Sequence, residues 1–298
     1  MRRWQCGNRA KLHKFTAINL APLRNVNLDA GGNLLHSACM TIASLLEPVT
    51  GRPGPARLEN AQQWMQGRTL YGGASALVAY TMAVRAFPDL PPLRAAQVGY
   101  VAPVGEAIEL SATIVRQGRS VTQVRSEIHV EGKTALTAMW LFAAERESNG
   151  EHTPPRPEDW PGGPADNAPV SSEHAPEFIR NNYELRFGQD KDGDHGATVR
   201  RWARLTEPHD LDPVSKLVLM GDVMPPGAMR IMQRRGPVSS MNWSFNVLDP
   251  ESRSPDGWYL AENASQFAGG GYSSERLRMW DAEGRQVLDG MQCAAVFG

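Results

Sequence analysis

The sequence predicts an α+β protein built from two similar halves, each a helix followed by an antiparallel sheet that wraps it. Three observations support this. A Pro- and Gly-rich stretch divides the chain near its middle, each half holds one apolar helical run, and segments of period-two alternation follow each run. At 298 residues the chain has room for two domains of ordinary size.

Taken in order, residues 1–39 stand apart. Arg2, Arg3, Arg9, Lys11, Lys14 and Arg24 face a single acid, Asp29. The run "FTAINLAPL" is interrupted by Asn19 and Pro22, so it makes a poor signal peptide. The expectation is a disordered basic extension, or an upstream start with translation really beginning at Met40.

Residues 40–146 are expected to form the first unit. In it "YGGASALVAYTMAVRAF" predicts a mostly buried helix opening just after Gly72 and Gly73. "AIELSATIV" then sets Ile108, Leu110, Ala112 and Ile114 on one side. "VTQVRSEIHV" sets Val124, Ser126, Ile128 and Val130 against Gln123, Arg125, Glu127 and His129. The turn "EGK" leads into a further strand, "TALTAMWLFAA". Residues 147–175, dominated by proline, glycine and small polar side chains, predict a linker.

The second unit is expected over 176–298 and repeats the plan. "YELRFG" and "ATVRRWARL" flank the loop "QDKDGDH". Asp212 can cap a helix with Pro213 at its first position, giving "PVSKLVLMGDVM". "VSSMNWSFNV", "GWYLAENAS", "GYSSERLRMW" and "QVLDGMQCAAVF" follow as strands, with "DAEGR" as a hairpin turn. A duplicated module is the simplest account.

Composition narrows the function. A hydrophobic fraction of 41% with 21% charged residues suits a chain that builds real cores. A net charge of −1 gives no global reason to expect nucleic acid or an anionic membrane as partner. Cys6, Cys39 and Cys293 lie far apart and form no CxxC pair, which favours a reducing cytoplasm. No apolar run approaches the roughly 20 residues needed to span a bilayer.

Two sets of motifs resemble a known family. "WMQGRTLYGG", "LRAAQVGYVAPV" and "VRQGRSVTQVRSEIHVEGKTALTAMWLF" resemble the N-terminal repeat of double-hotdog acyl-CoA thioesterases. "LVLMGDVMPP", "VSSMNWSFNV" and "GWYLAENASQFAGGGYSSERLRMWDAEGRQVLDGMQ" resemble the C-terminal repeat. The likeness runs from about Met40 onward. It implies two tandem hotdog repeats, each a helix wrapped by an antiparallel sheet, packed as a pseudo-dimer. It also implies hydrolysis of an acyl-CoA by a water held between an Asp, a Ser or Thr, and a Gln of the C-terminal repeat. By motif these fall on Asp222, Ser240 and Gln292. The hydroxyl is serine where relatives often have threonine. Asn242 and Trp243 stand where type II enzymes often have Asp-His. No cofactor or metal is implied, the partner is the acyl-CoA substrate, and a homo-oligomer is admitted.

The residues themselves bear on each assignment. A carboxylate at the C-terminal end of a helix does not stabilise it, because the backbone dipole there is already negative. Asp222 is therefore awkward as a structural residue. On an extended helix Val214, Val218 and Asp222 would form one i, i+4 row, and Gly221 would leave room for substrate or water. Gln292 shares an otherwise apolar strand face with Leu288, Gly290, Ala294 and Val296, so its amide should meet a polar group there. The first half has Trp140 in the matching place, which points to one working site per chain. Strand parity sets Ser240 with Asn242, Ser244 and Asn246, away from the apolar face. Either Ser240 stands at the strand's start, a bulge re-aims it, or Ser239 is the real hydroxyl. Gly72 and Gly73 permit close approach of backbone N–H groups to a substrate oxyanion, or else make a simple tight turn.

Other signals point elsewhere. "DKDGDHG" imitates a calcium loop, yet Arg201 stands where the twelfth-position acid belongs, and the segment reads as a hairpin loop. "GGG" at 269–271 lacks the Lys-Ser/Thr of a phosphate loop. No HExxH spacing and no GxSxG elbow occurs. Two competitors to the thioesterase reading stand: a non-catalytic acyl-thioester binding protein, and a hotdog dehydratase, whose usual Asp-x4-His pair is not evident.

Overall fold

The computed structural model describes residues 42–297 apart from 192, 208 and 235. The basic segment 1–39, with the expected start at Met40, lies outside the described residues. In the first half, helix α1 (Ile42–Leu46) and strand β1 (Gly54–Arg57) precede a small hairpin of β2 (Met65–Gln66) and β3 (Thr69–Leu70). Helix α2 (Gly72–Ala86) follows at once, then β4 (Leu93–Tyr100), β5 (Ala107–Gln117), β6 (Val121–Val130) and β7 (Lys133–Ala143). The second half holds α3 (Glu177–Asn182), β8 (Tyr183–Phe187), β9 (Thr198–Leu205), α4 (Pro213–Met220), β10 (Val238–Val247), β11 (Tyr259–Gly269), β12 (Tyr272–Trp280) and β13 (Gln286–Val296). This is the α+β double-hotdog architecture that the patterning and the resemblance lead one to expect.

The sheets of the two halves are continuous. Eleven strands run in the order β1-β5-β6-β7-β4-β10-β13-β12-β11-β9-β8, and every adjacent pair is antiparallel. The halves meet edge to edge at β4 and β10, with Trp243 opposite Val98 and Phe245 opposite Ala96. Joining two edges satisfies backbone groups that each sheet would otherwise expose.

Alternation sets the inner face. In β6, Val124, Ser126 and Ile128 are buried while Arg125 is exposed. Helix α2 is buried along nearly its whole length, from Gly73 to Ala83, which an Ala-rich sequence with few large side chains allows. Helix α4 begins as expected. The Asp212 carboxylate accepts from the Ser215 N–H at 3.0 Å, and Pro213 takes the first helical position. Residues 188–197 close the β8–β9 hairpin, and Gly270 and Gly271 turn β11 into β12 with positive φ. Both glycine-bearing signals are thus turns.

The Pro-rich segment is fastened to the second half. Val170 N–H donates to Leu185 O and Phe187 N–H to Ala168 O, both at 2.9 Å. Trp160 meets Trp202 edge-on at 5.5 Å, over an outer cluster with Trp258 and Trp280. Asp159 binds Arg200 at 2.8 Å, and Arg200 and Arg278 both hold the buried Glu262. Among the described residues no helix is long and apolar enough to cross a membrane.

One expectation is corrected here. Helix α2 does not open after the glycines; Tyr71 is its N-cap and Gly72 and Gly73 form its first turn. The reason lies in α4, whose last turn presses on that point. A Cβ on Gly73 would stand 2.1 Å from the Leu219 carbonyl oxygen. Alanine would favour the helix by about 1 kcal/mol over glycine, but overpacking costs roughly 1–3 kcal/mol. Gly73→Ala should therefore lower the thermal denaturation midpoint, and an unchanged or higher midpoint would show that the two helices part freely.

Candidate active site

Helix α4 ends at Met220, with Gly221 as its C-cap, so Asp222 lies in the turn beyond the helix. The expected row of Val214, Val218 and Asp222 is thus broken at its last member. Gly221 also does not leave open space. A Cβ there would stand 2.6 Å from the Trp243 ring, so the indole fills the volume and the glycine lets the chain press against it. The turn aims the carboxylate across the molecule, toward the start of α2.

There the first half supplies the donors. Gly73 N–H donates to the Asp222 carboxylate. A Cβ on Gly72 would stand 2.1 Å from Asp222 Oδ2, so only glycine admits the acid this close. On the other side, Gln292 Nε2 donates to Asp222 Oδ1 at 2.7 Å. The first N–H groups of a helix lack intrahelical partners, and the dipole there favours an anion. Burial nevertheless dominates. It pushes the Asp222 carboxyl from 3.8 up to about 7, against the downward pull of the Gln292 and Gly73 hydrogen bonds.

Gln292 is buried on β13, opposite Trp243 on one side and Glu275 on the other. Its face is the one that alternation assigned. Trp140 in the first half is likewise buried, but its indole Nε1 donates to Ser126 Oγ at 2.7 Å. Ser240 reaches the inner side through a bulge. Between β10 and β13 the register jumps from Ser240↔Ala294 to Asn242↔Cys293, so Met241 is the extra residue. The bulge reverses parity, turning Met241 to solvent and Ser240 toward the interior. Ser240 shares a cavity with Asp222 and Gln292, whereas exposed Ser239 borders only the neighbouring cleft. Ser240 makes no hydrogen bond to Asp222 or Gln292 among the described residues.

Three tyrosines, none singled out from sequence, surround the acid. Tyr71 donates its hydroxyl to Leu219 O at 2.5 Å, and Tyr183 OH lies 2.5 Å from Tyr71 OH. With its single proton committed to Leu219, Tyr71 accepts from Tyr183, and the pair ties the start of α2 to the end of α4. Tyr100 differs. Its hydroxyl is buried without a hydrogen-bond partner among the described residues, and a Cβ on Gly72 would stand 3.0 Å from it. Burial, and then the Asp222 charge, raise its pKa well above the ordinary value. It therefore stays a protonated donor beside the carboxylate. The sequence hint was the end of an alternating run, "LRAAQVGY", but period two says nothing of what a strand's last side chain meets.

The space around these groups has two parts. A cavity of about 260 Å³ is lined by Asp222, Ser240 and Gln292 together with Phe178, Ile179 and Val223. A cleft of about 520 Å³ holds Gly72, Tyr100, Ser239 and Ser240. Gln66, Pro225, Pro226 and Ser240 border both, so the acid sits near their junction. Two chambers meeting at a carboxylate, an amide, a hydroxyl and a helix N-terminus can hold a bipartite ligand with its reactive centre between them.

Comparison with known proteins places this architecture. The acyl-CoA thioesterase N-terminal domain family matches residues 60–143, and the acyl-CoA thioesterase C-terminal domain family matches residues 149–296. A search of curated proteins finds no match. Among solved structures, a hot dog fold protein of unknown function from Alicyclobacillus acidocaldarius superposes with a TM-score of 0.73 at 19% identity, covering 86% of this chain and 98% of that one. A putative thioesterase II from Thermobifida fusca gives 0.71 at 18% identity, covering 84% and 96%. An acyl-CoA thioesterase II from Mycobacterium marinum gives 0.61 at 16% identity, covering 85% and 96%. With both halves matched in order, the chain belongs to the double-hotdog acyl-CoA thioesterase family.

Proposed function

We propose that this protein hydrolyses acyl-CoA thioesters to a carboxylic acid and free coenzyme A, with Asp222 as general base. The observation that supports it most is the Asp222 carboxylate held between the Gln292 amide and the Gly73 N–H, at the junction of cavity and cleft. In this reading the acyl chain lies in the cavity and the thioester carbon comes to the junction. A water placed by Gln292 and Ser240 attacks that carbon while Asp222 takes its proton. Negative charge then builds on the carbonyl oxygen. The Gly73 N–H is committed to Asp222, so the donors for the oxyanion are the other first-turn N–H groups of α2 and the Tyr100 phenol. Collapse of the tetrahedral intermediate breaks the C–S bond, and the proton held by Asp222 goes to the departing thiolate. On its use of cysteine the enzyme is assigned to the cytoplasm.

A base must be ionised to act, so the raised pKa has a direct consequence. Below pH 7 most Asp222 is protonated, and kcat/KM should climb about tenfold per pH unit, levelling above about 7. A profile flat from pH 5 to 8 would remove Asp222 as base.

Thiol release from a panel of acyl-CoAs tests the assignment itself. Asp222→Asn should lower turnover by roughly 100-fold to 10,000-fold with the fold intact. Equal rates for both proteins would end the proposed mechanism, and binding without any release would favour a non-catalytic carrier.

Tyr100→Phe removes one donor and leaves the ring. It should lower kcat by about a hundredfold while changing KM little, because the hydrogen bond strengthens only as the oxyanion forms. A change confined to KM would assign Tyr100 to substrate binding instead.

A further inference from the structure

Strand β9 places two consecutive arginines on opposite faces of the sheet. Arg200 points outward, where Glu262 and Asp159 hold it. Arg201 points inward with its strand neighbours Val199 and Ala203, both core residues. Its Nη1 donates to the Arg200 carbonyl at 2.7 Å, and its guanidinium lies 4.8 Å from the centre of the Phe187 ring. No carboxylate pairs with it among the described residues. Burial, and then the nearby Arg230 charge, push its pKa below the ordinary value. An arginine does not escape such a site by losing its proton.

The location gives this cation meaning. Arg201 lines the same cavity as Asp222, Ser240 and Gln292, and among the described residues lining it Asp222 is the one carboxylate. Yet Asp222 owes its pKa to burial, Gln292 and Gly73, and not to Arg201. Phe178, Ile179, Val199 and Val223 supply apolar lining to the same cavity.

A second side chain on the same face lacks partners. Asn263 on β11 is fully buried, and among the described residues neither its amide oxygen nor its nitrogen makes a hydrogen bond. It stands opposite Val199 on β9, while Arg201 stands opposite Ala261. Asn263 is thus a diagonal neighbour of Arg201, at about 7–8 Å between backbone positions. Buried polar groups left without partners call for a ligand or water to complete them. A guanidinium fork suits an anionic oxygen acceptor, above all a carboxylate.

We propose that Arg201 reads a carboxylate at the far end of the acyl chain, so that the preferred substrates are ω-carboxyacyl-CoA thioesters. This rests on the thioesterase reading and adds the substrate class. The acyl chain bridges the two polar ends of the cavity, its thioester at Asp222 and its carboxylate at Arg201. A volume of about 260 Å³ suits a short chain.

Thiol release is measured for succinyl-, adipoyl- and suberoyl-CoA against butanoyl-, hexanoyl- and octanoyl-CoA, in the wild type, Arg201→Met and Arg201→Lys. The wild type should favour at least one diacid thioester over its methyl-ended partner by about tenfold or more in kcat/KM. That ratio should fall to near one in Arg201→Met, and Arg201→Lys should keep part of it. A wild-type ratio near one for every pair would overturn the proposal. So would a loss in Arg201→Met that is equal for both series and absent with acyl-pantetheine thioesters, which would assign Arg201 to the coenzyme's phosphates. If no thioester is cleaved at all, the thioesterase reading fails separately. Binding then decides: free adipate should raise the melting temperature of the wild type more than hexanoate does, and the difference should shrink in Arg201→Lys and vanish in Arg201→Met. Equal shifts from the two acids in the wild type would sink the subsite.

Discussion

A single contact between the two halves organises the rest of the structure: the Asp222 carboxylate, from the turn after α4, set against the first turn of α2. An anion belongs at a helix N-terminus, where N–H groups have no intrahelical partners. Here the anion comes from the other half of the chain, so the cap also fastens the halves together. Several sequence choices follow from it. Gly72 and Gly73 must be glycine because a Cβ would meet Asp222 or the Leu219 carbonyl. Gly221 must be glycine because the turn that aims the acid packs on Trp243. Tyr71 and Tyr183 brace the crossing from the side. The edge pairing of β4 with β10 keeps β10, which bears Trp243 and Ser240, beside the first half. Neither half could build this arrangement alone, since one supplies the acid and amide and the other supplies the donors. The reciprocal arrangement does not occur, because the position matching Gln292 holds Trp140, whose indole is spent on Ser126.

Most of the fold was legible because it rests on local periodicity. Alternation in "VTQVRSEIHV" gave the buried Val124, Ser126 and Ile128, and Asp212-Pro213 marked the start of α4 correctly. The site was legible in part. Gln292 fell on the right face since its strand is regular there, whereas Ser240 did not, since parity fails across a bulge that only the pairing with β13 creates. The sequence could name a bulge as one way out but could not locate it at Met241. The end of α4 was misjudged for a similar reason. "GDVM" continues the apolar spacing of the helix, but Gly, Asp and Val are weak helix formers, and the chain leaves the helix at Gly221, which packs on Trp243. Tyr100 and Arg201, which line the cleft and the cavity, were not singled out because their placement there is three-dimensional. In "TVRRWARL" nothing tells which arginine meets carboxylates outside and which turns inward.

Burial of Asp222 links function and stability in opposite directions. With its carboxyl raised from 3.8 to about 7, the folded protein holds a proton that the unfolded chain releases anywhere between those values. Folding is therefore favoured more at the acidic end of that window, and this contribution is lost as pH rises toward and through 7. In the proposed mechanism the base becomes active over the same rise. A carboxylate left in water would avoid the loss, but its ordinary pKa would make it a weak proton acceptor near neutrality. Full compensation by more hydrogen bonds would also avoid it, and would lower the pKa just as surely. The site lies between these limits. Two hydrogen bonds hold the ion in place, while enough desolvation remains to keep its proton affinity matched to neutral pH. The Tyr100 hydroxyl fits the same logic. A partner for it within the protein would stabilise the resting fold; in the proposed mechanism the unpaired phenol keeps one donor available for charge that appears only when a substrate reacts.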